Sequence, residues 1–345
     1  MLADLTASIS QGHELTDTEA AAAAEALLAD DPAALDAKAD FLRALSARGE
    51  TAGELAAFVQ GFLRHAVAPP LDLASLGRPA IDVCGTGGDK LGLFNISTTA
   101  MFVLAGAGAA VVKHGNRGIT SPSGSADVLA ALGGKIDLTP ERFAEGIRQT
   151  GVAFMLAPQY HPAFKAVAPA RQKLAQEGRR TMFNLIGPLL NPVRPAYQIA
   201  GVFDRQLLPA YASILASLGR RRAWALHGET ADGRGMDELS TLGPCHVIEV
   251  RGSAIQALDF ASPLPRPASL HQLAGGEAAA NAEILESILR GETRGPRRDI
   301  TLLNAAAGLI VCELAADLPS ALALAAETID NGRALATLNA WRAFA

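Results

Sequence analysis

Aromatic residues are scarce in this chain. They make up 5 % of the 345 residues, although 49 % of the sequence is hydrophobic. Small and aliphatic side chains carry the apolar share, with abundant alanine and glycine. That excludes a disordered chain and describes a compact, helix-rich α/β protein. Charge of one sign is also lacking. The net charge is −5, with no acidic or basic tail, which argues against nucleic acid as the main partner. The short basic clusters, Arg220-Arg221-Arg222 and residues 294–298, read as solvated element ends. There are only three cysteines, Cys84, Cys245 and Cys312. They lie far apart, form no metal-type spacing and imply a reducing compartment. The first fifteen residues hold two acids and no basic stretch, so they do not read as a signal peptide. The longest apolar run, residues 98–112, is too short and too rich in glycine and alanine to span a membrane. The expectation is a soluble, cytoplasmic protein with no membrane partner. No nucleophile-elbow motif, metalloprotease motif, internal repeat or low-complexity linker occurs.

What is present is ordered. Residues 1–70 read as helices alone. Thr16-Asp17 precede an alanine-rich helix, Asp30-Asp31-Pro32 start another that stops at Gly49, and Thr51 to Glu54 fits a capping box. Ala68-Pro69-Pro70 ends this stretch. From Ala80 onward strand signals alternate with helices: 81–84, 109–112, 153–156, 198–202 and 224–226. One of the helices starts at Thr139-Pro140 and ends at Gly151. Alternation of this kind predicts a mainly parallel sheet with right-handed crossovers. Further strands are expected at 246–250 and 254–258, then helices to the C-terminus. The fold class expected is α/β.

Residues 82–133 carry the chemistry. A strand signal runs into Gly85-Thr86-Gly87-Gly88-Asp89, and Asn95-Ile96-Ser97-Thr98 then opens an apolar helix. A second strand signal ends in Lys113-His114-Gly115-Asn116-Arg117, and a serine-rich turn, 121–125, leads into another helix. Glycines let the backbone approach an anion and aim amide N–H groups at it. A helix N-terminus adds about half a positive charge, Ser97 and Thr98 can donate, and Lys113 neutralises further charge. Two such turns on successive strands are a phosphate-binding pattern. Asp89 is out of place in an anion site unless a metal sits there.

These segments resemble the anthranilate phosphoribosyltransferases. So do Ala157 to Ala163, Ala168-Pro169-Ala170-Arg171, the run from Arg180 to Pro192, and Met236-Asp237-Glu238-Leu239-Ser240. The resemblance covers residues 14–330. It implies a small all-helical domain, residues 1–70 joined by inserted helices from 161–187, and a large α/β phosphoribosyl-binding domain, residues 75–345, with a central mainly parallel sheet. It further implies an active site between the domains and a homodimer formed through the helical one. The implied reaction moves phosphoribose from phosphoribosyl pyrophosphate to the amino group of anthranilate in tryptophan biosynthesis. Such a transfer needs no covalent nucleophile; it needs the leaving charge held, the sugar positioned and water excluded.

By the same resemblance, Gly85, Gly88, Asp89, Asn95, Ser97, Thr98, Lys113, His114, Gly115, Asn116, Arg117, Thr120, Ser121 and Ser125 bind phosphoribosyl pyrophosphate. Asp237 and Glu238, with Ser97, hold magnesium, and neighbouring carboxylates on an extended stretch suit two ions better than one. Arg171, Asn116 and Gly85 contact anthranilate; an arginine fork matches a carboxylate. His114 either lines the pocket or makes a strand-end hydrogen bond. Tyr160 and His161 read as packing and turn residues. Three stretches depart from the family pattern. Lys90-Leu91-Gly92-Leu93 replaces small polar residues, the spacing from Arg171 to Arg180 is longer by about three residues, and residues 228–235 are also longer. Alternatives are a transferase for another aromatic amine, and a non-catalytic relative that binds nucleic acid. A pyrimidine nucleoside phosphorylase is disfavoured because Gly-Asn-Arg follows the Lys113-His114 strand end.

Overall fold

The computed structural model describes residues 1–118, 122–261 and 269–344. The chain forms two compact units, one of residues Met1–Ala68 and Pro158–Pro192, the other of Pro69–Ala157 and Val193–Ala345.

The smaller unit is helical. Its helices span Leu2–Ser10, Asp17–Leu28, Leu35–Arg48, Ala52–Arg64 and Ala168–Gln176. Thr16 and Thr51 each close a capping box, with Glu19 and Glu54. Each such cap satisfies backbone groups that a helix start otherwise leaves open, worth about 1 kcal/mol. The start expected at Pro32 is a short 3-10 turn, Pro32–Ala34, before the α-helix proper begins at Leu35. Proline at the first position lacks an N–H that the turn would leave unbonded in any case. The core is a chain of rings: Phe58 on Phe62, and Phe62 against both Phe164 and Phe183, at centroid distances of 5.2–5.9 Å. Thus the few aromatics are concentrated where long-range segments meet. Lys38 is buried and donates from Nζ to the carbonyls of Ala29 (2.6 Å) and Ala166 (3.1 Å), tying the first helices to the later segment.

Among the described residues the larger unit holds one sheet of eight strands: β1 Ala80–Gly85, β2 Ala110–Gly115, β3 Val152–Leu156, β4 Tyr197–Gly201, β5 Arg222–Glu229, β6 Gly235–Met236, β7 Cys245–Arg251 and β8 Ala254–Leu258. The order is β3-β2-β1-β4-β5-β7-β8, with β6 paired to β5. β1 to β5 are parallel; β6, β7 and β8 add antiparallel. The five strands buried on both faces read as short continuous apolar runs, as a covered parallel sheet requires. The two-residue β6 is too short to leave any pattern in the sequence.

The chain turns to opposite sides of β1, since β2 lies on one flank and β4 on the other. In open α/β sheets the crevice outside the strand ends at such a reversal is where ligands bind. The helix Ile96–Gly106 is buried along almost its whole length and packs against helices Pro296–Val311 and Arg333–Phe344. Its first turn is thereby held rigidly above the end of β1. The helix Pro140–Thr150 has the expected boundaries. Thr139 caps its start, accepting from the Arg142 N–H, and Gly151 closes it in the left-handed conformation at φ 76°.

Candidate active site

β1 ends at Gly85, and its neighbour Gly201 stands in register on β4. Neither position tolerates a side chain. A Cβ on Gly85 would lie 2.1 Å from Asp237 Oδ2, and one on Gly201 would lie 1.8 Å from the Asp237 carbonyl oxygen. Gly228 on β5 is equally tight against the Glu238 carbonyl, at 2.4 Å. Three glycines on adjacent strands therefore let the Asp237-Glu238 backbone lie directly on the sheet ends. Asn304 holds it there. Its Oδ1 accepts from the Leu239 N–H (2.9 Å) and its Nδ2 donates to the Leu239 carbonyl (3.0 Å).

The two acids reach different loops. Asp237 Oδ2 accepts from the Gly87 N–H at 2.7 Å, and Glu238 Oε1 accepts from the Ser97 N–H at 3.0 Å. Gly87 and Gly88 have φ of 67° and 83°, the left-handed region that glycine enters without strain. Lys113 leaves β2 almost fully buried and donates from Nζ to the Val83 carbonyl and to Ser97 Oγ at 3.3 Å. The amides of Gly87 and Ser97 are thus each met by a carboxylate oxygen, and the Lys113 ammonium is bonded to neutral oxygens beside Ser97.

Around them lies a cavity of about 610 Å³. Of the residues singled out above, Gly85, Gly88, Asp89, Asn95, Ser97, Thr98, Lys113, Ser125, Asp237 and Glu238 line it. His114, Gly115, Asn116 and Arg117 do not. His114 is buried, with its N–H donating to Asp82 Oδ1 (3.3 Å), while Asn116 and Arg117 are exposed and Arg117 pairs with Asp127 at 2.9 Å. Thr120 and Ser121 lie outside the described residues. Arg171 belongs to the helical unit. It is half-buried, and its guanidinium sits 4.7 Å from the centre of the Phe183 ring.

Burial pushes the carboxyls of Asp237 and Glu238 upward, and each is raised further by an acidic neighbour, Asp89 for Asp237 and Asp237 for Glu238; Lys113 acts in the opposite sense. Burial also raises Asp89. Both residues of the pair keep some exposure, so solvent tempers these shifts. Crowded carboxylates facing one buried lysine are a donor set that a hard divalent cation would neutralise. Among the described residues no three His, Cys, Asp or Glu side chains form a ready metal cage. Magnesium does not need one, because it keeps waters and shares phosphate oxygens. Cys84 also lines the cavity, but burial pushes its thiol up to about 12, so it is no nucleophile. His161 donates from Nε2 to the Leu190 carbonyl (2.9 Å), and burial takes it down to about 4. It is neutral near pH 7 and serves packing.

Several residues of the site take roles that the sequence reading did not assign, Asp127 among them although it stands in the Gly124 to Leu129 stretch of the family pattern. Asp127 accepts from the N–H groups of Gly118 (2.8 Å) and Gly124 (3.0 Å), closing the loop after β2. Gly275 and Gly276 form a further cavity wall. A glycine pair just before the periodic helix Ala278–Leu289 was the available signal. Gly201, Gly228 and Asn304 matter through contacts distant in sequence, and nothing local marks them.

The glycine-rich cradle at a sheet reversal defines a class. Residues 77–335 match the model of the glycosyl transferase family, a/b domain. The anthranilate phosphoribosyltransferase of Moorella thermoacetica is 43 % identical over 346 residues, covering 99 % of this chain and 97 % of that protein. The crystal structure of the Thermus thermophilus anthranilate phosphoribosyltransferase matches with a TM-score of 0.87 and 38 % identity, covering 99 % of both chains. The structure of the anthranilate phosphoribosyltransferase from Saccharomyces cerevisiae in complex with PRPP and Mg matches with a TM-score of 0.85 and 26 % identity, covering 99 % of this chain and 97 % of the yeast one. This chain belongs to the anthranilate phosphoribosyltransferase family.

Proposed function

We propose that this chain transfers the phosphoribosyl group of phosphoribosyl pyrophosphate to the amino group of anthranilate, giving N-(5-phosphoribosyl)anthranilate and pyrophosphate, in tryptophan biosynthesis. The observation that carries this reading is the cavity in which two anion-suited turns, a buried lysine and an acidic pair converge, in a chain of this family. The yeast relative's complex with PRPP and Mg supports the donor and the metal.

The amine nitrogen attacks the anomeric carbon as the bond to pyrophosphate breaks; pyrophosphate leaves with the electron pair and the amine loses a proton. Gly85, Gly88, Asn95, Ser97, Thr98 and Lys113 hold the donor, and their amides, hydroxyls and ammonium meet the charge that grows on the leaving group. Gly115, Asn116, Arg117, Thr120, Ser121 and Ser125 belong to the same donor site in this reading. Asp237 and Glu238, with Ser97, hold magnesium, which adds positive charge at the pyrophosphate. The divergence of the two carboxylates toward separate loops favours two ions. No thiol or histidine of the site is poised for covalent work, so the rate comes from positioning and charge.

Arg171, with Asn116 and Gly85, receives anthranilate. Burial lowers the Arg171 guanidinium from its ordinary value; a partly desolvated guanidinium gains more from a carboxylate than an exposed one does. Arg171→Ala should raise the KM for anthranilate about ten- to a hundredfold, the scale of a lost charge-assisted pair at about 1.5–3 kcal/mol. The KM for phosphoribosyl pyrophosphate should hardly change; an equal rise in both would reject Arg171 as the acceptor's partner. A cytoplasmic homodimer joined through the helical unit completes the reading. No described helix is long and apolar enough to cross a membrane.

The test of the whole is direct. Protein, magnesium, phosphoribosyl pyrophosphate and anthranilate are mixed, and anthranilate fluorescence is followed. Loss of signal that requires all four components is expected; a constant signal would overturn the assignment.

A further inference from the structure

Asn95 stands at the N-cap of the helix Ile96–Gly106, yet its side chain makes no cap hydrogen bond. That departs from what asparagine does there. At an N-cap its side-chain oxygen ordinarily accepts from an amide of the first turn. Here Asn95 Oδ1 accepts instead from Nδ2 of Asn281, at 2.9 Å, across 186 residues of sequence. Asn95 Nδ2 faces the Ser123 carbonyl at 3.4 Å, a long contact.

Asn281 itself is buried at 2 % exposure, and its other bonds hold it in place. Its Oδ1 accepts from the Gly276 N–H (2.8 Å), and its Nδ2 also donates to the Gly276 carbonyl (3.1 Å). The adjacent Gly275 N–H donates to the Gly92 carbonyl at 2.8 Å, and the Phe94 N–H donates to the Leu273 carbonyl at 3.1 Å. There is no room for looser packing. A Cβ on Gly275 would lie 2.7 Å from both Asn281 Oδ1 and the Phe94 nitrogen. The amides of Gly275 and Gly276 are therefore spent on this strap and do not form another anion cradle.

We infer that Asn281 is a positioning residue for donor binding: it holds the Asn95 carboxamide away from its own helix, so that the first turn is left to acceptors that come from outside the helix instead of being capped by Asn95. The Ser97 N–H is engaged in that way already, by the carboxylate of Glu238 rather than by its own cap residue. Without Asn281, Asn95 Oδ1 is released to cap the first turn. The donor's phosphate oxygens then compete with a local hydrogen bond that forms at no cost in association. The inference rests on the reading of this cavity as the phosphoribosyl pyrophosphate site.

The test is a double-mutant cycle read by calorimetric titration with phosphoribosyl pyrophosphate and magnesium, using wild type, Asn281→Ala, Asn95→Ala and the double variant. Asn281→Ala should weaken donor binding roughly tenfold, the scale of one capping bond, and raise the KM for the donor while leaving that for anthranilate unchanged. In the Asn95→Ala background the same change should have no further effect, because the side chain it restrains is gone. Asn281→Ser, which keeps a polar group near Gly276, serves as a second variant if the alanine form melts at markedly lower temperature. Donor affinity equal to wild type in a folded Asn281 variant would overturn the inference, as would losses that simply add in the double variant. Absence of donor binding by the wild type would bring down the site reading and the inference with it; binding by wild type with an additive cycle would bring down the inference alone.

Discussion

Gly88→Val is expected to abolish binding of phosphoribosyl pyrophosphate while the chain remains folded. The reason lies in two effects that act together. Gly88 sits at φ 83°, where a side chain on an L-residue crowds its own carbonyl at a cost of about 1–2 kcal/mol, and β-branching makes the position harder to accommodate. The loop would move to relieve that strain, and the Gly87 N–H, now 2.7 Å from an acidic oxygen, would lose its aim into the cavity. The valine would also fill space at the cavity wall that Gly88 leaves open to the ligand. The hydrophobic core is built mainly on the sheet and its helices, and this segment reaches it only beyond Gly88, through Leu91 and Phe94, so the loss of stability should be confined to the loop. Titration calorimetry with donor and magnesium, beside a thermal melt, checks both halves. Normal donor affinity in a folded variant would reject the loop as the phosphate cradle.

The second large effect concerns the acidic pair. Asp237→Ala and Glu238→Ala should each lower kcat at least roughly tenfold, the scale of about 1.4 kcal/mol of lost transition-state stabilisation, and both should shift the magnesium requirement upward. Melting temperature without ligand should not fall. Burial and an acidic neighbour raise both carboxyls above their ordinary range, so their charges are held against local repulsion; removing one relieves it. The hydrogen bonds from Gly87 and Ser97 that the variants give up are partly replaced by water in an open cavity. The measurement is activity against magnesium concentration for wild type and both variants. Superimposable curves would reduce the pair to hydrogen-bond partners of Gly87 and Ser97 and move the search for a metal site to Asp89.

Much of the frame was readable in the chain because its signals are local. Each of β1 to β5 appears as a short apolar run within a few residues of its observed ends. Thr51 with Glu54, and Thr139-Pro140 with Gly151, announce helix boundaries through groups that act on their own first and last turns. The loops at Gly85 and Lys113 could be located because a phosphate-suited turn draws its glycines, its helix start and its polar residues from one continuous stretch. Strand direction at β7 and β8 could not be read: a two-residue period is the same in either direction, and whether a strand adds parallel or antiparallel depends on where its connection crosses the sheet.

The sequence by itself determined which segments become strands and helices, where the backbone can turn toward an anion, and which family the motifs resemble. Only the tertiary structure decided what those motifs touch. Asp237 meets Gly87 across 150 residues and Glu238 meets Ser97 across 141; neither pairing has a spacing rule, because the sheet order sets it. Gly85 reads as a loop glycine and Gly201 as nothing more than a strand end until register places them side by side under Asp237. Asn95 opens its helix in the sequence and stands at the N-cap in the structure, yet its side chain is drawn elsewhere because Asn281 arrives from the far end of the chain. Local preferences act over one turn of helix or one pleat of strand and are written next to each other. A binding site is assembled from the ends of strands that the chain visits at widely separated times, so its contacts exist only once the core has packed.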